Sequence, residues 1–173
     1  MIRKRIIIFV IFLSFVFSGC GILWQRYNNK ELGFSILLPR LWYKEVGSYG
    51  TVIMAISSPT NPQDKYRENI TITAAYVPED MKKETYVEMS INQAFEMFNG
   101  TQYGVTEGTI SAGGEDGKWV SFSVPAKDII LKVISTVWIK NKRAYVVTCS
   151  SRDSEYDKYE PVFWKALRSI RFK

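Results

Sequence analysis

Residues 129–150 read IILKVISTVWIKNKRAYVVTCS, and the fold turns on them. The runs 129–139 and 143–150 are rich in β-branched and aromatic side chains, which suit a pleated, half-buried surface. Asn141-Lys142 between them leaves room for a tight turn, so the two runs predict an antiparallel hairpin. The returning run, Ala144-Tyr145-Val146-Val147-Thr148-Cys149, has the content of an inner strand. It predicts that Cys149 is a shielded packing residue with no histidine nearby to activate it.

The same punctuation continues in both directions. Upstream, 119–124 and 105–112 read as strands, with Gly113-Gly114-Glu115-Asp116-Gly117 as the turn between them. In 85–98 the period changes. Val87, Ile91, Ala94, Phe95 and Phe98 fall at i, i+4, i+7, i+8 and i+11, one stripe of a helix that Asn99-Gly100 should stop. Further upstream, 69–77 alternates Ile with Thr and ends at Pro78, and 34–38, 42–46 and 51–57 are short strands. Downstream, Phe163, Ala166, Leu167 and Ile170 form the inner stripe of a C-terminal helix. Pro161 is expected in its first turn, and Asp153, Glu155 and Asp157 in the turn before it. Strands outnumber helices and hairpin-length links dominate. This predicts an α+β domain, a mostly antiparallel sheet carrying two substantial helices.

The chain has 173 residues, 46% apolar and 23% charged, which fits one globular domain and argues against disorder. The net charge of +6 is partly local. Arg3, Lys4 and Arg5 supply three positive charges, and residues 20–173 hold 20 basic against 17 acidic side chains. No long Lys/Arg run follows Arg5, so the electrostatic footprint of a nucleic-acid binder is missing.

The first twenty residues carry an address. Arg3-Lys4-Arg5 is followed by an apolar run over 6–17, broken only by Ser14, and then by Ser18, Gly19 and Cys20. Charge, apolar core and small-residue exit make the plan of a secretory signal. Phe17-Ser18-Gly19-Cys20 resembles the lipobox of bacterial lipoproteins, with Phe17 where the family prefers Leu. The resemblance implies cleavage before Cys20, diacylglycerol on its sulfur, and a domain facing the periplasm or exterior on the cell or outer membrane. Gly21 lacks the Asp that commonly holds such proteins at an inner membrane. The competing reading is an uncleaved membrane helix over 6–24, nineteen uncharged residues whose length nearly matches a ~30 Å hydrocarbon core. Residues 1–19 are therefore expected as signal peptide, 20–30 as a polar tether (Gln-Arg-Tyr-Asn-Asn-Lys over 25–30), and 31–173 as the domain.

A second resemblance runs along that domain. Gly33-Phe34-Ser35-Ile36, Pro39 and Trp42 follow the "G-F-x-I-x-x-P-x-x-W" opening of PsbP-like proteins. Glu68-Asn69-Ile70-Thr71-Ile72, Arg143-Ala144-Tyr145-Val146-Val147-Thr148 and Tyr159 to Phe163 before Ser169-Ile170-Arg171-Phe172 continue it. The resemblance implies the Mog1/PsbP-like fold, a central antiparallel sheet between helical layers. Relatives in non-photosynthetic bacteria include many lipoproteins without known activity, so the fold carries no function with it.

Catalytic chemistry is hard to place. The chain has no histidine, which excludes a Ser-His-Asp triad and histidine zinc sites. Gly113–Lys118 is one residue short of a phosphate loop, with Trp119 where Ser or Thr should stand. Asp153-x-Glu155-x-Asp157 has Lys158 in place of the turn glycine of a calcium loop and Trp164 at its last ligand position. No catalytic, cofactor or metal residue is assigned. The mixed-charge segment 61–68, with Asp64, Tyr66, Arg67 and Glu68, is the candidate partner-contact loop, its tyrosine expected to be exposed. These readings lead to a membrane-tethered, non-enzymatic binding or assembly module with an envelope protein as partner. A carrier of a small apolar ligand, and a hydrolase without histidine chemistry, are the alternatives.

Cys20→Ala should leave the precursor uncleaved and without fatty acid, as read by radiolabelled palmitate incorporation. Label entering the variant at the wild-type level would remove Cys20 as the attachment site.

Overall fold

The computed structural model describes residues 22–48, 50–64, 66–98 and 101–173. Cys20 and the signal segment lie outside them. Among the described residues no helix is long and apolar enough to cross a membrane.

The hairpin of residues 129–152 is the centre of the larger sheet. β8 (Ile129–Lys140) pairs with β9 (Arg143–Arg152) from Lys140↔Arg143 to Leu131↔Arg152. Asn141 and Lys142 at the turn have φ of 50° and 56°, the pair of left-handed residues that matches a turn to the twist of its strands. On one side β9 pairs with β5 (Asn69–Tyr76), which pairs with β4 (Ile53–Ile56) and then β3 (Tyr43–Val46). On the other, β8 pairs with β7 (Glu115–Ala126), and β7 with β6 (Tyr103–Ala112). All these pairings are antiparallel, giving a seven-stranded sheet in the order β3-β4-β5-β9-β8-β7-β6.

Period-two side chains give the sheet two different faces. One buries Ile53, Ala55, Ile70, Ile72, Ile134, Trp138, Val147 and Cys149. It is covered by α2 (Tyr156–Arg168), through Phe163, Ala166 and Leu167, and by a small antiparallel sheet, β1 (Trp24–Asn29), β2 (Phe34–Pro39) and β10 (Arg171–Phe172), through Phe34, Ile36 and Leu38. The opposite face is covered at one end only. There α1 (Lys83–Glu96) sets Ile91 and Ala94, with Val87, Phe95 and Phe98, against Val120, Phe122 and Val124 of β7 and Leu131 and Val133 of β8. The rings of Phe95 and Phe98 meet Phe122 edge-on at 4.9 and 5.9 Å between centroids.

Three expectations need correction. The polar segment expected as part of a tether is β1, paired with β2 from Trp24↔Pro39 to Asn29↔Phe34. Trp24 and Tyr27 pack on the core, while Arg26 reaches Ser35 Oγ and the Ser169 carbonyl, both at 3.2 Å. An edge strand buries few of its side chains, and backbone pairing asks nothing of the rest, so a polar sequence suffices. The turn after β6 is Gly113-Gly114 alone, and Glu115-Asp116-Gly117 already belong to β7. Gly117 serves close approach: a Cβ there would stand 2.6 Å from Trp138 Cδ1 and 2.8 Å from the Val137 carbonyl oxygen. Finally, Pro161 is inside α2, beyond its first turn. The carbonyl it cannot bond is that of Asp157, and both residues are exposed, so solvent takes over the lost hydrogen bond. Burial of Tyr159, Val162, Phe163, Ala166 and Leu167 on the opposite side outweighs the loss.

Leu167 has no exposed surface. Leu167→Ala should destabilise the domain by about 2–5 kcal/mol in chemical denaturation, and a change under about 0.5 kcal/mol would show that the helix face is not core. Cys149 is a free thiol with no exposed surface, and burial pushes its pKa well above the ordinary value. It should react slowly with a thiol reagent in the native domain and rapidly after denaturation.

Candidate functional site

The half of the sheet that α1 leaves uncovered is the floor of a cleft. Beside α1 the half-buried and buried rungs of β5, β9 and β8 carry hydroxyls where the opposite face carries Ile and Val. Thr71 lies opposite Thr148, and Thr148 opposite Ser135, a row of three hydroxyls across three strands. The Ser135 and Thr148 oxygens are 3.2 Å apart. One rung along, Asn69 lies opposite Ser150. Met54 and Val146 add apolar ground, and the wall from α1 and its end is Ser90, Gln93, Ala94, Met97 and Phe98.

The cleft holds about 580 Å³, within the range of small-ligand sites. It is larger and more enclosed than the groove beside Trp164 on α2, the one around Ile130 and Asp153, and the one beside Leu23 and Trp42. Among the described residues its lining contains hydroxyls, side-chain amides, thioethers and aromatic rings, with no Asp, Glu, Lys or Arg. The titratable group in it is Tyr66, whose phenol burial pushes above its ordinary pKa. Such a surface offers hydrogen bonds to a neutral polar group and apolar contact beside it.

The segment expected to contact a partner has a different task. None of Asp64, Tyr66, Arg67 and Glu68 is exposed. The Asp64 side chain is 2% exposed and pairs with Arg152. It accepts hydrogen bonds from the backbone N–H and the hydroxyl of Thr60, both at 3.0 Å. The Thr60 N–H is the largest influence holding its pKa below the ordinary carboxylate value, with the Thr60 hydroxyl and Arg152 adding to it. Glu68 is buried, and its carboxylate accepts from the Ser57 hydroxyl at 2.7 Å. The Arg67 carbonyl accepts from Asn69 Nδ2 at 3.3 Å. Tyr66 reaches the cleft, where its hydroxyl donates to Ser150 Oγ at 2.6 Å. Asp64 staples the segment to β9 and Glu68 ties it to Ser57, while Tyr66 joins the candidate site. A mixed-charge loop reads as solvated in sequence because the basic partner, Arg152, lies 88 positions away.

Sequence reasoning missed the floor. The signal was present in 69–73, Asn-Ile-Thr-Ile-Thr, where alternation defines two faces. The Thr face of such a strand ordinarily meets bulk water, and only the placement of α1 makes it a cleft. The two motif echoes dissolve into local structure. Lys118 pairs with Glu107 at 3.1 Å across the β6–β7 hairpin. Asp153 accepts from Ser123 at 3.4 Å, and no group of three metal-ligating side chains occurs among the described residues.

Since Asp64 has a depressed folded pKa, its contribution is complete above the unfolded value near ~3.9 and is lost as pH falls through the lower folded value. Asp64→Asn should therefore be less stable than wild type at neutral pH, with the gap closing only in acid below the ordinary Asp range. Urea denaturation as a function of pH measures this, and a gap that is absent at pH 7 would refute it.

No protein-family model matches the chain, and no curated protein matches it in sequence. Solved structures do. The cyanobacterial PsbP (CyanoP) of Synechocystis sp. PCC 6803 aligns with a TM-score of 0.65 at 14% identity, covering 90% of this chain and 96% of that one. LpqN of Mycobacterium tuberculosis, described as involved in cell envelope biogenesis, aligns with a TM-score of 0.69 at 10% identity, covering 87% and 91%. A Pseudomonas aeruginosa protein of unknown function aligns with a TM-score of 0.55 at 12% identity, covering 84% and 94%. At these identities the likeness is one of fold, and with the antiparallel sheet and two helices described above it identifies the domain as an α+β structure of the PsbP-like fold.

Proposed function

We propose that the protein is an envelope lipoprotein, held at a bacterial membrane through Cys20, whose domain is a non-enzymatic binding module with its site in the cleft beneath α1. The carrying observation is that the described residues lining that cleft carry no charged side chain. A general acid or base needs a group that titrates near the working pH, and hydroxyls, amides and a phenol raised by burial do not supply one. A preformed concavity with a few convergent hydrogen-bonding groups among apolar ones is what a binding site needs. The likeness to LpqN, described as involved in cell envelope biogenesis, supports the cellular setting, as does the lipobox-like run ending at Cys20.

The ligand class follows from the lining. Thr71, Thr148 and Ser135 offer donors and acceptors in a row, while Met54, Met97, Phe98 and Val146 offer apolar contact. A neutral group with a polar edge and an apolar face fits, whether it is a small amphipathic molecule or an uncharged segment of an envelope partner. The volume favours the small molecule as a second reading. A long charged side chain in the floor would oppose any such ligand, because a charge without a partner is costly to cover. Thr73→Arg, at a half-buried position, should keep the fold by circular dichroism. It should also weaken capture of the bound species by about tenfold or more, equal to ~1.4 kcal/mol. Native mass spectrometry and in-cell photocrosslinking from the cleft read the outcome, and capture unchanged in the variant would move the site elsewhere.

A further inference from the structure

The first described residues reach the domain with almost no slack. Ile22 stands two positions after Cys20, and β1 begins at Trp24. Two residues span at most about 7 Å when fully extended, whereas the headgroup layer on one side of a bilayer is roughly 5–8 Å deep. If Cys20 carries the lipid, as proposed above, that reach is about the depth of the layer, so the surface around Ile22 is held at it or within it.

That surface has the composition of one that enters it. Ile22, Leu23 and Leu41 are 44%, 56% and 76% exposed, and with Pro39 and Trp42 they line one shallow groove. The Arg40 backbone N–H donates to the Leu23 carbonyl at 2.7 Å, which sets the two apolar segments side by side. Two basic side chains flank them. Arg40 is exposed, and Lys158 lies over the ring of Tyr159, another groove residue, with Nζ 4.7 Å from its centroid. Apolar tips, a tryptophan and flanking cations form the pattern of an interfacial anchor on an anionic membrane.

We propose that the face formed by Ile22, Leu23, Leu41 and Trp42 rests in the lipid headgroup layer beside the acylated Cys20, fixing the domain in one orientation on the bilayer. The inference rests on the reading of Cys20 as the anchor, and it specifies what that reading leaves open, which face meets the membrane.

The test uses the full-length lipoprotein reconstituted into vesicles of phosphatidylethanolamine and phosphatidylglycerol. An environment-sensitive fluorophore is attached at Leu41→Cys, at Leu23→Cys, and, as control, at Tyr76→Cys, 72% exposed at the end of β5 away from the groove. Cys149 is buried and does not compete for label. The first two labels should emit at shorter wavelength than the control and be quenched several-fold more by lipids carrying a shallow nitroxide. Emission and quenching equal to the control on vesicles whose protein is acylated would overturn the inference while leaving the anchor standing. Labels that are shielded but indifferent to the lipid-borne quencher would place a protein on the patch and also overturn it. Absence of fatty acid on Cys20, read by mass spectrometry of the same sample, would remove the anchor and the inference with it.

Discussion

The architecture depends on a mismatch between a wide sheet and a narrow cover. Seven strands spaced roughly 4.8 Å apart make a surface about 29 Å across, and one helix, about 10 Å in diameter, can cover two or so of them. On the face of Ile70, Ile72, Val147 and Cys149 the chain solves this with α2 and a second small sheet together. On the other it supplies α1 alone, seated on β7 and β8. The remaining strands on that side must tolerate partial exposure, and they do so with Thr71, Thr73 and Thr148. The cleft is the direct result of covering one face fully and the other in part.

The surrounding elements hold this arrangement in place. Trp138 sits on the fully covered face because Gly117 leaves room for its indole, which locks β7 against β8 in register. The segment before β5 is pinned by Asp64 to Arg152 and by Glu68 to Ser57, so Tyr66 is delivered to the edge of the cleft with its hydroxyl already bonded to Ser150. Asp64 and Glu68 are engaged in holding the loop, and the described lining of the cleft carries no charged side chain. A neutral, hydroxyl-floored and thioether-walled site suits recognition of uncharged groups better than proton transfer.

Most of the strands and both helices were legible because each rests on a local pattern. Ile-Thr alternation in 69–73, the apolar stripe from Val87 to Phe98 and the Asn141-Lys142 turn each report their own geometry. Where the reading failed, the deciding partner was remote or the residue played an unusual part. β1 is polar and exists because β2 pairs with it. Pro161 is tolerated inside α2 because the face it weakens is wet. The exposure expected for Asp64, Tyr66 and Glu68 disappears once β9 and Ser57 are beside them.

The sequence by itself determined the α+β class, the antiparallel hairpins, the burial of Cys149 and the absence of histidine chemistry, since periodicity, turn residues and composition are properties of neighbours along the chain. Only the tertiary structure decided that the Thr and Ser row of β5, β9 and β8 is a cleft floor rather than a solvated face, and that Ile22, Leu23 and Leu41 form one surface. Those outcomes depend on where α1 settles and on the contact between residues 22–23 and 40–41. Helix placement and long-range contact are fixed by packing between segments far apart in the chain, which no local pattern records.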